Sequence, residues 1–225
     1  MIRVQDIYLD YHAHGVVVEA LRGVTYDINE GEFVALVGPS GSGKSTLIAA
    51  TCGLLTPRKG NIYINQLKLT GVSREKRAVI RSQCISMIFQ FSEILGRFTV
   101  YENFKTFFAS SRSLIERKPF QERLDYLNEM LQLSDIYSSF PYDLSGGERQ
   151  KVAIAAAFLR QTPVILADEP SADLDEENVN RVKTLFQEEK KRGTAILLAT
   201  HDKDFAFGAD TVYRLKNGVI DKSLK

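Results

Sequence analysis

The chain has 225 residues, of which 44% are hydrophobic and 25% charged, and its formal net charge is +1. This length suits one compact domain with a sub-domain, which needs no disulfide or metal to stabilise its core. No apolar run approaches the ~20 residues of a membrane-spanning helix. No leader segment is expected, and the near-neutral charge argues against nucleic acid as a partner. Cys52 and Cys84 lack metal-ligand spacing and are predicted to be buried, reduced thiols.

The first third of the chain is predicted to form short strands. Apolar and polar residues alternate over residues 24–28, which is typical of a half-buried strand. The apolar run at 33–37 lies between glycines and predicts a strand covered on both faces. Residues 62–64 and 85–89 are two further strand candidates.

The rest of the chain alternates helices and strands. Residues 91–143 carry little strand signal and are interpreted as a helical insert, with an amphipathic helix after Pro119. Apolar strands are predicted at 164–167 and 195–199, around a helix that ends in basic residues and Gly193. Asn217-Gly218 predicts a hairpin turn near the end. This order indicates an α/β fold with a parallel sheet.

A glycine-rich segment follows the strand at 33–37. It matches the pattern G-x-x-x-x-G-K-[ST] without a gap and consists of Gly38, Pro39, Ser40, Gly41, Ser42, Gly43, Lys44 and Ser45. Glycines let backbone N–H groups surround polyphosphate oxygens, and the following helix N-terminus adds positive charge. We expect Lys44 to reach the β- and γ-phosphates and the Ser45 hydroxyl to bind Mg²⁺. A flexible turn with a solvated lysine is the alternative, and the loop alone leaves kinases, GTPases and many ATPases open.

Two adjacent carboxylates end the strand at 164–167. Ligand groups gather beyond the carboxyl ends of parallel strands, where the glycine-rich loop also lies. Asp168 is expected to hold Mg²⁺ through water, and Glu169 to polarise the water that attacks the γ-phosphorus. The alternative is a pair of acids that cap a loop before Pro170.

Residues 144–148, with the sequence LSGGE, have two compatible interpretations. Ser145 and Glu148 form the capping-box pattern of a helix start. A helix N-terminus with a serine and two glycines, Gly146 and Gly147, also exposes backbone donors to an anion.

With these motifs in order, the chain resembles the ATP-binding cassette (ABC) ATPases from about Ile2 to Ile220. The glycine-rich loop is similar to Walker A, residues 144–148 to the ABC signature and residues 164–169 to Walker B. Residues 171–175 resemble the D-loop. The resemblance implies a P-loop NTPase (RecA-like) core with an N-terminal antiparallel β subdomain and an inserted α-helical subdomain. Residues 1–90 and 144–225 would form the core and β subdomain, and 91–143 the helical subdomain.

The resemblance also implies individual roles. Glu169, His201, Lys44 and Gln90 would be catalytic, and Ser45, Gln90 and Asp168 would bind Mg²⁺. Tyr11 would stack on adenine, with Tyr8 as a nearby alternative. ATP contacts are implied for Tyr11, Gly38, Pro39, Ser40, Gly41, Ser42, Gly43, Lys44, Ser45, Thr46, Gln90, Ser145, Gly146, Gly147, Glu148, Asp168 and His201.

Partners follow from the same resemblance. In the family, two domains pack head to tail around two ATP molecules, and a membrane permease docks near the helical insert. A homodimer is expected, with a heterodimer with a second ATPase as the alternative. The chain would lie at the inner face of the cell membrane through its permease, without inserting into the membrane or binding nucleic acid.

Residues 21–24, 31–35 and 89–91 resemble the macrolide-exporter and lipoprotein-release (MacB/LolD-type) branch. Ala156 stands where the signature helix usually has arginine, Asp143 where Glu or Gln is common, and residues 171–173 read SAD where TGN is typical. The predicted function is an ATPase that powers such a permease. A mechanical regulator that acts through a membrane partner without transport is the alternative, followed by a soluble ABC ATPase.

Overall fold

The computed structural model describes residues 1–13, 16–89 and 94–223. The strands are β1 (Ile2–Ala13), β2 (Val16–Ile28), β3 (Phe33–Val37), β4 (Lys59–Ile64), β5 (Leu67–Lys68), β6 (Ile85–Ile88), β7 (Val164–Asp168), β8 (Ala195–Thr200), β9 (Thr211–Lys216) and β10 (Val219–Ser223). The helices are α1 (Lys44–Thr51), α2 (Arg74–Cys84), α3 (Val100–Ser110), α4 (Phe120–Leu131), α5 (Gly146–Leu159), α6 (Glu176–Lys191) and α7 (Lys203–Phe207). Short 3₁₀ turns occupy Ser134–Ile136 and Pro141–Asp143.

The main sheet has the order β10-β9-β3-β8-β7-β6. Its strands from β9 to β6 are parallel to one another, and β10 is added to the edge by an antiparallel hairpin. Strands β7 and β8 are buried along their whole length, as expected for strands covered by helices on both faces. The predicted parallel α/β sheet is confirmed.

A second, antiparallel sheet has the order β2-β1-β4-β5. Its longest pairing, between β1 and β2, contains three register shifts, and Asp6 adopts a positive φ of 51° there. Gly60 crosses this bulge so closely that a Cβ would lie 2.4 Å from the Asp6 carbonyl oxygen. The sheet shares an apolar core with α1 and with residues of β3, β7 and β8.

Helices α3 and α4 pack on α5 and on the opposite face of the main sheet, and they form part of the second apolar core. Thr99 and Glu102 form a capping box at the start of α3. The buried Asn103 amide donates to three backbone carbonyls and accepts from the Leu95 N–H, which fixes the described part of the chain before α3.

Cys52 and Cys84 are buried free thiols, as predicted. Burial raises the pKa of each thiol to about 11, so both stay protonated near neutral pH. Among the described residues, no helix has the length and apolar character needed to cross a bilayer.

Candidate functional site

The glycine-rich loop connects β3 to α1. Gly43 is the N-cap of α1, with φ 105°, and no side chain caps this helix. A Cβ at Gly43 would lie 2.8 Å from the Ala20 carbonyl oxygen, and one at Gly38 would lie 2.2 Å from that of Leu215. Lys44 folds back so that its Nζ donates to the Gly38 carbonyl oxygen at 2.9 Å. The loop therefore keeps its backbone donors uncapped, with an ammonium group beside them.

This loop forms the floor of a pocket of about 610 Å³, lined by Tyr11, Val18, Glu19, Ala20, Arg22, Ser40, Gly41, Ser42, Gly43, Lys44, Ser45, Thr46, Glu169, His201, Asn217 and Gly218. A Cβ at Gly41 would meet no atom within 4 Å, so the loop leaves open space at this point.

Tyr11 lies on the wall of this pocket. Its hydroxyl is 3.2 Å from the Thr46 Oγ1 atom, and 43% of the residue is exposed, so its ring is available for stacking. Tyr8 is not among the described residues that line the pocket. Its ring instead contacts the cationic groups of Arg58 and Lys59 at 5.5 and 5.1 Å. Of the two candidate tyrosines, Tyr11 is therefore the one that lines the pocket.

Asp168 ends β7 and is buried next to the loop. Burial raises the pKa of its carboxyl, while a hydrogen bond with the Ser45 side chain and the charge of Lys44 act in the opposite direction. Its Oδ1 atom is buried and has no hydrogen-bond partner among the described residues. A carboxylate oxygen without a partner, beside a serine hydroxyl, fits a hydrated Mg²⁺ bound mainly through substrate phosphates.

The described residues contain no cluster of three or more His, Cys, Asp or Glu side chains that could hold a metal by themselves. Gln90, the third predicted metal ligand, lies outside the described residues.

Glu169 has a positive φ of 49°. The backbone turns at this residue, and the Glu169 N–H donates to the Ala199 carbonyl oxygen at 2.9 Å. Left-handed backbone at a residue other than glycine costs energy and persists where its surroundings fix it. The turn brings Glu169 into the pocket wall beside Asp168.

His201 follows β8 and contacts Glu169. The Glu169 Oε2 atom accepts from the His201 Nδ1 at 2.9 Å and from the His201 backbone N–H at 3.2 Å. The imidazole side chain is 74% exposed and the Glu169 side chain only 10%. The carboxylate is thus held in one orientation, and the imidazole points a second polar group toward the pocket opening.

The segment LSGGE begins α5. The Ser145 Oγ accepts from the Glu148 backbone N–H at 3.3 Å, and the Glu148 carboxylate accepts from the Ser145 N–H at 2.8 Å. The predicted capping box is confirmed. Gly147 approaches residue 173 so closely that a Cβ would lie 2.9 Å from the Asp173 carbonyl oxygen. Residues 145–148 are not among the described residues that line the pocket, so one chain does not bring the two glycine-rich helix starts together.

The hairpin turn at 217–218 also lines the pocket, which was not predicted from the sequence. Asn217 and Gly218 have φ values of 48° and 75°, and the Gly218 N–H donates to the Ser42 carbonyl oxygen at 3.0 Å. The turn itself was predictable from its Asn-Gly pair. Its position beside the loop follows from the pairing of β9 with β3, which no local signal encodes.

The chain belongs to the ABC transporter family, which it matches over residues 21–172, and it is an ATP-binding cassette ATPase. It is 35% identical over 206 residues to the lipoprotein-releasing system ATP-binding protein LolD of Saccharophagus degradans, covering 91% of this chain and 90% of the relative. It is 36% identical over 217 residues to LolD of Legionella pneumophila strain Lens, covering 96% and 95%.

Solved structures of ABC cassettes match the fold of this chain. The dimeric structure of the bacterial ABC transporter cassette MJ0796 superposes with a TM-score of 0.92 at 30% identity, over 100% of this chain and 98% of that one. A dimeric post-hydrolysis state of that cassette, bound to ADP and Pi, gives 0.91 at 29% identity over the same shares. The fold class, the family and the ATPase activity predicted from the sequence are confirmed.

Proposed function

We propose that two copies of this chain close head to tail around two ATP molecules and power a membrane permease of the lipoprotein-release type. The observation that carries the proposal is the separation of the two helix starts. The pocket is lined by Ser40 to Thr46 of the glycine-rich loop, Glu169 and His201, whereas LSGGE is not among the described residues that line it and begins a different, capped helix.

The pocket residues supply complementary parts of ATP hydrolysis. The uncapped donors of α1 and the Lys44 ammonium bind the phosphates, and Tyr11 stacks on the adenine. Ser45 and Asp168 hold Mg²⁺, which when bound neutralises phosphate charge. Glu169 orients the attacking water and accepts its proton, as the water oxygen bonds to the γ-phosphorus and the bond to ADP breaks. His201, held by Glu169, contacts the γ-phosphate.

A second chain completes the site. Ser145 and Gly147 of one copy cover the ATP held by the loop of the other, since each chain carries both halves of a site. The γ-phosphate adds charge-assisted hydrogen bonds across the interface, and hydrolysis removes them, so the dimer closes and opens with the nucleotide state. Both similar cassette structures described above are dimers.

The permease is proposed to dock at the helical part of the chain, residues 91–143, with Gln90 linking it to the nucleotide. The named function of the LolD relatives supports a permease that releases lipoproteins. The chain would then lie at the cytoplasmic face of the membrane, attached through its partner.

A mixing experiment tests the head-to-tail site. Ser145→Arg and Lys44→Ala are each expected to abolish ATP hydrolysis by homodimers. In a mixed dimer, the intact loop of the Ser145→Arg chain faces the intact signature of the Lys44→Ala chain, so mixing is expected to restore activity. The exposed Ser134→Arg serves as the control and should hydrolyse ATP at the wild-type rate. No recovery at any mixing ratio would contradict the composite site.

A further inference from the structure

Two stacked aromatic rings lie just before the segment LSGGE. The Tyr142 side chain belongs to a residue that is 73% exposed. Its ring stacks on that of Phe140, with centroids 5.4 Å apart and planes 6° from parallel. We call residues 140–143 the aromatic turn, because they contain both rings and the 3₁₀ turn that precedes α5. A single exposed apolar side chain is ordinary on a protein surface, whereas exposed tyrosines beside an interface are often binding contacts.

The aromatic turn has a fixed backbone. The Asp143 N–H donates to the Phe140 carbonyl oxygen at 2.9 Å, and the Asp143 carboxylate accepts from the Phe140 N–H at 3.4 Å. Pro141 and Leu144 on either side of Tyr142 are buried. The Tyr142 ring therefore projects from an ordered turn, so a contact with it costs little conformational entropy.

The nucleotide pocket of one chain offers a stacking ring on one side. Tyr11 is the only Phe, Tyr or Trp among the described residues that line it. Val18, which pairs with Tyr11 across the β1–β2 ladder, also lines the pocket and is 54% exposed. A base stacked on Tyr11 would therefore keep its other face open to water. Covering that face with a second aromatic ring would stabilise the bound base further.

Reach and charge both place the aromatic turn at the base end of a nucleotide. Tyr142 precedes Ser145 by three residues, and three residues span at most about 11 Å, which is comparable with the length of a triphosphate and ribose. If Ser145 covers the γ-phosphate of the neighbour's ATP, Tyr142 can thus reach its base. The exposed Asp143 carboxylate would repel phosphates but not an uncharged base.

We propose that the Tyr142 ring of each copy stacks on the free face of the base that its neighbour holds against Tyr11. The base then lies between two tyrosines, one from each chain. Because the dimer has two-fold symmetry, the contact occurs at both sites. This rests on the proposed function, since it adds a residue of the second copy to the same composite site.

A mixed dimer with one working site tests this contact. The Ser145→Arg chain supplies the intact loop of that site, and the Lys44→Ala chain supplies its intact signature. Tyr142→Ala on the Lys44→Ala chain is expected to raise the KM for ATP by about fivefold or more, as for a lost base–aromatic stack. The kcat should change little, because the phosphate contacts remain. The same substitution on the Ser145→Arg chain should have no effect, and Tyr142→Phe should retain the original KM on either chain.

The size of the base gives a second readout. A purine offers more stacking area than a pyrimidine, so Tyr142→Ala on the Lys44→Ala chain should raise the KM for ATP more than the KM for CTP. An equal rise for both nucleotides would assign the ring to a protein contact, such as the exposed apolar residues 16–18 of the neighbour. That result would overturn the inference.

Phe207→Ala is the matched control, because Phe207 is 75% exposed and is not among the described residues that line the nucleotide pocket. Thermal unfolding of each variant is measured alongside, which separates loss of the ring from loss of the fold. An unchanged KM with Tyr142→Ala on the Lys44→Ala chain, or an equal rise with it on either chain, would overturn the inference and leave the composite site standing. If the mixed dimer without Tyr142→Ala is inactive, the proposed function itself fails.

Discussion

The two glycine-rich helix starts of this molecule, at α1 and α5, look alike in sequence and differ in structure. The N-cap of helix α1 is Gly43, which provides no side-chain cap, and the first turn contains no acidic residue. The N-cap of helix α5 is Ser145, and Glu148 completes a capping box. The first start thus presents free donors beside Lys44, whereas the second already uses part of its hydrogen-bonding capacity internally and carries a negative charge.

This difference indicates that the two helix starts have different roles. An uncapped helix start with an ammonium group attracts polyphosphate by itself. A capped start carrying a glutamate attracts it weakly, and its remaining donors at Gly146 and Gly147 are proposed to contact a phosphate that another element has already bound. The α1 pocket is therefore expected to govern nucleotide affinity, and the α5 start to govern closure of the dimer.

The largest effect is expected at the carboxylate of the α1 pocket. Glu169→Gln removes the proton acceptor and should lower turnover by about 10²–10⁴-fold, while ATP binding persists and a nucleotide-bound dimer accumulates. Single-turnover hydrolysis and size-exclusion chromatography with ATP measure the two effects. Glu129→Gln, on the exposed side of α4, is the control. Wild-type turnover in Glu169→Gln would show that another group accepts the proton.

Lys44→Ala tests whether the α1 start governs ATP affinity. Loss of the ammonium removes charge-assisted hydrogen bonds worth about 1.5–3 kcal/mol, which corresponds to a loss in ATP affinity of about 10- to 100-fold. Titration calorimetry measures this loss, with Lys105→Ala on α3 as the control. Unchanged affinity would contradict the role of the loop as the main phosphate site.

Ser145→Ala tests the cap at the α5 end. Loss of an N-cap serine should lower the free energy of unfolding by about 0.5–2 kcal/mol, measured by urea denaturation. Ser145→Asn should recover most of that stability, because asparagine caps helices as well as serine does. If alanine and asparagine gave equal stability, the cap would not stabilise α5.

The smallest effect concerns pH. Burial raises the pKa of Asp168 above its ordinary 3.8, so the folded chain binds this proton more tightly than the unfolded chain. Its contribution to stability is then present at low pH and lost as pH rises from the ordinary toward the raised value. Asp168→Asn should therefore become more stable relative to wild type across this window, in urea unfolding without Mg²⁺ or nucleotide. A stability difference independent of pH would contradict this, with exposed Asp135→Asn as the reference.

Local sequence patterns predicted much of the fold and those site residues that lie within motifs. Strands β3, β7 and β8 were predictable because burial on both faces leaves continuous apolar runs. The polar helix α2 buries only Ile80 and Cys84, so its apolar periodicity was too weak to predict it. The long pairing of β1 with β2 contains bulges that interrupt its alternation.

The geometry of the pocket depended on contacts distant in sequence. The choice between Tyr8 and Tyr11 required the bulged register of β1, since both aromatic rings lie on the same strand. The left-handed turn at Glu169 and the contact of the 217–218 hairpin with the loop are also set by the sheet.

The close approach of Gly147 to Asp173 has a consequence for timing. Asp173 lies four residues after Glu169, and the Gln150 side chain donates to the Pro170 carbonyl oxygen at 3.0 Å. The segment that follows Glu169 therefore contacts α5 of the same chain. In a head-to-tail dimer that same helix covers the neighbour's nucleotide. If cleavage of one nucleotide shifts this segment, α5 would transmit the shift to the nucleotide of the other copy. The two hydrolysis events are therefore expected to occur in a correlated order.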